Sequence, residues 1–243
     1  MLDKPHIFLD EIMRQAQESE IIRLTMDIRD GKPLQLFKGN EVQVIEKKDL
    51  VSGMYTWADQ ILVAKNETRR NVNNIMRKYL YDIDDPAPIE GDKVICLRND
   101  WDHPNELGDV MVNGTIGTLN NIRYADTYWL RPQMICNFVS DDYSDLDLDT
   151  LPLDAVFRDV SMDYKLLTQG EPTVTQYNFK RFPKIFRPRE FDYGYCITTH
   201  KAQGSEYDKV LVFEEFLKGG HHAEWLYTAA TRAKEKLVIV RDY

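Results

Sequence analysis

Long apolar runs are missing from this sequence. No stretch of the 243 residues approaches the ~18 consecutive apolar residues that cross a bilayer, so no membrane-spanning helix and no membrane partner are expected. The amino-terminal MLDKPHIFLDEIMRQ lacks the apolar centre of a secretory leader. Cysteine is scarce. Cys96, Cys136 and Cys196 are far apart and odd in number, with neither zinc spacing nor a disulfide framework. No metal site is expected, and a reducing, cytoplasmic location is the simplest reading. An excess of positive charge is missing too. The formal net charge of −9 argues against a protein that coats nucleic acid by bulk charge, yet it leaves room for a local basic groove. Internal repeats, low-complexity tracts and the carboxylate–lysine clusters of metal-assisted nucleases are also absent.

What is present is a globular composition, 43% hydrophobic and 29% charged, long enough for one domain with a large insertion or for two small domains. Charge is unevenly placed. Acid concentrates in SDDYSDLDLDTLPLD, residues 140–154, and base in KRFPKIFRPRE, residues 180–190. Solvated loops account for such runs as readily as binding faces do.

Residues 19–31, SEIIRLTMDIRDG, read as a helix capped by Ser19 and ended by Gly31, with Ile21, Leu24 and Ile28 on one face. ILVA, residues 61–64, reads as a strand buried on both faces. An amphipathic helix follows, with Asn66 as its N-cap. Its apolar stripe is Val72, Ile75, Met76, Tyr79 and Leu80, and Arg69, Arg70, Arg77 and Lys78 lie mostly off that stripe. DIDDPAPIEGD, residues 82–92, marks a boundary. Beyond it the texture is β: KVICLR, then DVMVNGTIGTL with Asn113-Gly114 as a hairpin signal, then TYWLRPQMICNFV interrupted by Pro132. Several short strands in about a hundred residues imply a small barrel. Near residue 191 the α/β texture returns, with strands at 195–198, 209–214 and 236–240 and a helix at 222–233. Residues 61–64 and 236–240 are expected in one sheet.

One loop stands out. Residues 198–206, TTHKAQGSE, lie at the carboxyl end of a buried strand, where open parallel sheets bind ligands. Thr198, Thr199 and His200 offer hydrogen-bonding groups, Lys201 a charge suited to phosphate, and Gln203 and Glu206 partners for sugar or phosphate oxygens. Gly204 permits close backbone approach. Taken alone, a threonine-capped turn with a surface histidine and lysine explains the loop equally well.

The loop has company. ITTHKAQGSEYDKVLV resembles motif V of superfamily 1 helicases in their RecD-like 1B form, and LYTAATRAKEKLVIV resembles motif VI. EIMRQAQESEIIRLTMDIR looks like the arginine segment after motif III, and ILVAKNETRRNVNNIMRKYL like motif IV. GDKVICLRND and VMVNGTIGTL are similar to the SH3-like insertion of that family. The five segments stand in family order and cover most of the chain.

The resemblance implies an α/β fold: a RecA-like parallel-sheet domain (helicase domain 2A) from residues 1–88 and 188–243, with a small SH3-like β-barrel (domain 2B) inserted at 89–187. It implies the C-terminal half of an ATP-dependent 5′–3′ DNA helicase of the kind that serves DNA repair or recombination. Arg232 matches the motif VI arginine and Arg14 the earlier one. Both would meet the γ-phosphate, where permanent planar cations suit the transferring group. Gln203, Gly204 and Glu206 match ATP-binding positions. Thr199, His200 and Lys201, with Asn66, Thr68 and Arg69, match the single-stranded DNA groove.

One element of that family does not occur. No window satisfies the phosphate-binding G-x-x-x-x-G-K-[ST]; GDVMVNGTIG lacks the lysine. The resemblance therefore begins just after motif III. ATP and Mg2+ are expected only with an N-terminal P-loop domain supplied in cis or in trans, and single-stranded DNA is the other expected partner. A split or excised motor half and a natural short protein without the motor both fit. A non-catalytic nucleic-acid- or protein-binding module derived from a helicase, with the barrel as its working part, is the alternative reading.

Overall fold

The computed structural model describes residues 19–85, 87–99, 101, 110–126, 132–141, 153–157, 189–217 and 219–241. The chain divides into two compact units, one from residues 1–72 and 196–243 and the other from residues 73–195.

The first unit is built on a mixed six-stranded sheet. Its strands are β1 (Phe37–Lys38), β2 (Val42–Glu46), β3 (Gln60–Val63), β9 (Cys196–Thr198), β10 (Tyr207–Glu214) and β11 (Ala233–Arg241), in the order β1-β2-β11-β10-β3-β9. Every pairing except β1–β2 is parallel. Thus β3 and β11 share one sheet with β10 between them, as the apolar runs predict. The central strands are buried on both faces: Leu62, Val210, Leu211, Val212, Leu237 and Ile239 are fully inaccessible. That explains why their sequences are continuous apolar runs without alternation.

Helix α1 (Glu20–Arg29) starts where predicted, with the Ser19 hydroxyl accepting from Ile22 N–H. It ends at Gly31, whose φ is +74°. There Gly31 N–H donates to Ile28 O and Lys32 N–H to Asp27 O, a Schellman closure that satisfies the last carbonyls. The buried stripe is Ile21, Thr25 and Ile28, with Leu24 half-buried beside it. Two glutamates fasten this helix to the sheet. The Glu20 carboxylate accepts from Glu41 N–H at 2.7 Å, Val42 N–H at 3.0 Å and Asn40 N–H at 3.2 Å. These backbone donors hold its carboxyl below the usual range. Glu41 replies by accepting from the Ser19 hydroxyl and from Glu20 N–H, both at 2.9 Å. A short helix α2 (Ser52–Trp57) precedes β3, and Tyr55 packs its ring on Phe213 of β10.

Helix α3 (Asn66–Tyr81) corrects the sequence reading. Of the expected apolar stripe only Val72 and Met76 are buried; Ile75, Tyr79 and Leu80 are exposed. Arg69 and Arg77, expected off the stripe, are buried, together with Asn73. The reason is a set of partners that periodicity does not register. Within the second unit, Arg77 Nε donates to Asp92 at 3.1 Å, and its Nη groups donate to the carbonyls of Asp85 and Ala87. The guanidinium also lies 4.4 Å from the centre of the Tyr193 ring. Asp92 accepts further bonds from Tyr195 OH and Ile89 N–H. Burial pushes the Tyr195 phenol far above its ordinary range, helped by the bond to Tyr81 and the charge on Asp92, so it remains a donor. A planar cation with several acceptors is the charged group best suited to a dry site.

The second unit also contains a closed barrel of β4 (Lys93–Cys96), β5 (Ile116–Asp126), β6 (Pro132–Ser140), β7 (Leu153–Phe157) and β8 (Arg189–Tyr193). Neighbours are antiparallel except β7 and β8. Phe138 and Phe191, both fully buried, meet inside it at 5.3 Å. Asn113-Gly114 forms a turn as predicted: Thr115 N–H reaches Val112 O and Gly114 takes φ +100°. That turn ends a longer connection between the antiparallel β4 and β5, which is not the two-residue hairpin expected. Pro132 does not interrupt β6 but begins it, a position that needs no ladder donor. Most of the acidic run 140–154, and the basic run 180–190 apart from Arg189 and Glu190, lie outside the described residues.

Arg77 and Asp92 have side chains 3% and 0% exposed. Arg77→Met leaves the Asp92 charge buried without its cation, and is expected to lower stability by about 3–5 kcal/mol. Adding Asp92→Asn removes the stranded charge and is expected to recover much of that loss. Urea unfolding of the full chain measures both; a loss below about 1 kcal/mol for Arg77→Met contradicts the assignment.

Candidate functional site

Two edges of the parallel sheet carry the candidate residues. At the carboxyl edge β3, β9 and β10 end side by side. Thr199 N–H continues the ladder by donating to Val63 O at 2.9 Å, and its hydroxyl lies 3.4 Å from the same oxygen. Thr199 is therefore buried, whereas His200 beside it is exposed and Lys201 half-buried. The chain then makes a tight turn, with Lys201 and Ala202 N–H donating to Thr198 O. Ala202 is fully buried and fixes this turn against the core.

The same edge contains a residue that received no role from sequence. Glu215 follows β10 and is 8% exposed. Its carboxylate accepts from Ala64 N–H at 2.7 Å, Lys65 N–H at 2.8 Å and the Thr68 hydroxyl at 2.5 Å, with Lys65 Nζ at 3.8 Å. An anion is thus seated at the start of helix α3, where unpaired N–H groups and the helix dipole favour it. Asn66 and Arg69 are joined to each other, Nε to Oδ1, at 3.2 Å. Asn66, Thr68, Arg69, Thr199 and His200 therefore do come together on one edge, but Thr68 is engaged by Glu215. Cys196 lies beneath, fully buried; burial pushes its thiol far up, against a smaller downward pull from Arg69. A short sequence signal for Glu215 existed, two glutamates directly after an apolar strand, but its donors lie about 150 positions away.

A second cluster sits beside it. Glu214, 4% exposed, contacts His222 Nε2 at 3.0 Å and lies 3.5 Å from Arg241 Nε. His222 Nδ1 lies 3.2 Å from Glu215 O. His222 opens helix α4 (His222–Ala230), so these contacts tie the end of β10 to the start of that helix.

The amino edge holds the other set. Helix α4 ends at Ala230 rather than residue 233, so Thr231 and Arg232 fall in the turn before β11. Arg232 is half-buried. Its Nε donates to Thr228 O at 3.2 Å, Nη1 to Ser205 O at 3.1 Å and Nη2 to Thr231 Oγ1 at 3.2 Å. Arg232 O in turn accepts from Tyr207 N–H. The arginine is thereby locked onto the loop that carries Gln203, Gly204 and Glu206. Gln203 and Glu206 are exposed, and Gly204 has φ +91° with open space where a Cβ would stand. This glycine is required by the turn, and its open side is also room for a ligand. Arg14 lies outside the described residues. Among the described residues no cluster of His, Cys, Asp and Glu is arranged to hold a metal, and no helix is long and apolar enough to cross a membrane.

Residues 193–240 match the model of the UvrD-like helicase C-terminal domain, a segment that contains both the 199–206 loop and Arg232. The uncharacterized protein R530 of Acanthamoeba polyphaga mimivirus is 26% identical over 207 residues, covering 83% of this chain and 36% of R530. An uncharacterized protein of Methanocaldococcus jannaschii is 33% identical over 69 residues, 28% of this chain and 6% of that protein. Among solved structures, the chain is similar to Pif1 helicase from Candida albicans, with TM-score 0.47, 15% identity, and coverage of 90% of this chain and 52% of that one. It is likewise similar to Pif1 helicase from Bacteroides in complex with ADP-AlF3 and ssDNA, with TM-score 0.43, 14% identity, and coverage of 92% and 49%. The chain spans about half the length of these Pif1 structures and about a third of R530.

Glu215→Gln keeps one acceptor oxygen but replaces the other with an amide that opposes the N–H donors. It is expected to destabilise the start of α3, read as faster hydrogen exchange at residues 64–69, while exchange in β11 stays unchanged. Unaltered exchange at 64–69 contradicts the clasp.

Proposed function

We propose that this chain is the C-terminal half of an ATP-dependent, RecD-like superfamily 1B DNA helicase moving 5′ to 3′. In this reading residues 1–88 and 188–243 form the RecA-like domain 2A, and 89–187 form the SH3-like domain 2B. The observation that carries it is the pairing of the 199–206 loop with Arg232 through Ser205, inside the segment that matches the helicase C-terminal domain. Arg232 has five N–H donors, of which the bonds above use three. The remaining two are suited to an anionic oxygen, and Arg14 would supply a second cation. Gln203, Gly204 and Glu206 would line the nucleotide on this side. Mg-ATP, when bound, supplies the phosphoryl group whose charge these arginines neutralise. A P-loop domain must complete the cradle, in cis or in trans. At the opposite edge Thr199, His200 and Lys201, with Asn66, Thr68 and Arg69, would track single-stranded DNA through phosphate positioning without base-edge readout.

The purified chain with ATP, magnesium and single-stranded DNA is expected to show no turnover. Supplying a P-loop first domain, fused at residue 1 or as a separate chain, is expected to give DNA-stimulated hydrolysis. In that assembly Arg232→Lys keeps the charge, loses the planar fork, and is expected to abolish most turnover, since such arginines contribute roughly 10³–10⁵ in rate. Equal rates for wild type and Arg232→Lys contradict the catalytic role. A large drop in the thermal midpoint of the isolated Arg232→Lys chain instead supports the alternative, an arginine that only secures its own turn.

A further inference from the structure

The sheet of the first unit ends at β1, and among the described residues no strand covers its outer side. Gly39 N–H donates to Val42 O at 2.8 Å, and the register pairs Phe37 with Val44 and Lys38 with Gln43. Gly39 and Phe37 therefore turn their backbone groups toward β2, and the antiparallel alternation turns those of Lys38 outward. Among the described residues nothing bonds to these outward groups. Beside the edge lies a groove of about 490 Å³ between α1 and residues 32–37, with apolar walls from Leu24, Ile28, Leu34, Phe37 and Val42. Phe37 is 47% exposed and Leu36, next to it, 54%. The Phe37 ring lies on the α1 side, since a Cβ on Gly39 would collide with both Phe37 Cε1 and Glu20 Oε2. The alternation sends the Lys38 side chain to the opposite face. The acids of the groove are already committed, Glu20 to three backbone N–H groups and Asp27 to Lys32. Arg23 at the rim and Lys38 on the edge are both exposed, and Lys38 forms no ion pair among the described residues.

We infer that this edge takes an extended segment of a partner protein as an added strand, with residues alternately apolar and acidic. Outward backbone donors and acceptors on a sheet edge are matched by an extended backbone, whereas a helix keeps its own backbone groups paired internally. Side chains of a strand alternate in direction, so every second residue would enter the groove beside α1 and those between would stand beside Lys38. The groove is apolar and the opposite face carries a cation, which sets the apolar–acidic alternation of the partner. A second copy of this chain fits poorly, because pairing like edges gathers two Lys38 charges at one seam. The assignment is independent of the helicase reading, since it uses neither the 199–206 loop nor Arg232.

The test uses the full chain at low salt with a fluorescein-labelled peptide of alternating valine and aspartate, read by anisotropy. Binding is expected, with slower amide exchange at residues 36–38 and none of that slowing in β9. Lys38→Glu is expected to weaken binding about tenfold, because the edge then meets the peptide with like charge. Two further peptides carry N-methyl groups, one on its valines and the other on its aspartates. Only one of these sets can face the edge, so exactly one of the two peptides is expected to lose binding. No binding by wild type, no difference between the two N-methylated peptides, or full binding by Lys38→Glu overturns the strand addition. A wild-type dimer in sedimentation that Phe37→Ser dissolves assigns the edge to a second copy instead and likewise overturns it.

Discussion

Glu215 places a carboxylate, nearly stripped of water, among the N–H groups of Ala64 and Lys65 and the hydroxyl of Thr68. A buried carboxylate is tolerable only when donors replace its lost hydration. Here the donors come from the end of β3 and the first turn of α3, and the acceptor from the end of β10. The contact therefore fixes where β3 and β10 end and where α3 begins, and hence the carboxyl edge of the sheet. His222 extends the constraint through the Glu215 carbonyl and the Glu214 carboxylate to the start of α4. At the other end of that helix Arg232 binds Ser205. Helix α4 thus connects the structure of one edge to that of the other, and the 199–206 loop runs between them.

This arrangement explains why so many polar residues stand at the mouth of a buried strand. They do not form a single cluster. Thr198 and Thr199 turn inward and close the β3–β9 ladder. Ser205, between Gly204 and Glu206, reaches the amino edge, where its carbonyl accepts from Arg232. A parallel sheet makes this possible, because the loop that leaves one strand at its carboxyl end must return to the amino end of the next. In the proposed helicase half, strand contacts and nucleotide contacts would then occupy opposite ends of the same strands.

The sequence was most legible where structure is local. Ser19 and Gly31 bracket α1 because capping is decided within a few residues, and the valine-rich runs of β10 and β11 announce strands covered on both faces. It was misleading where a polar group is made apolar in effect by distant partners. Ile75, Tyr79 and Leu80 have the right period to face a core, but Arg77 takes the buried face because Asp92, two backbone carbonyls and the Tyr193 ring receive it. Side-chain type along a helix does not reveal such a site. Glu215 was silent for the same reason: its donors belong to a segment about 150 positions earlier. The candidate residues of the 199–206 loop and Arg232 were visible as motifs, and the structure adds the hydrogen bond that joins them.

In the proposed helicase half the carboxyl edge, organised around Glu215, would receive the strand, and the amino edge around Arg232 would not. Hydrogen exchange of the full chain with and without a saturating thymidine oligonucleotide tests this most directly. Slower exchange is expected at residues 64–69, 199–201 and 215–217, with residues 203–207 and 232–236 unchanged. Protection confined to 203–207 and 232–236 would contradict it.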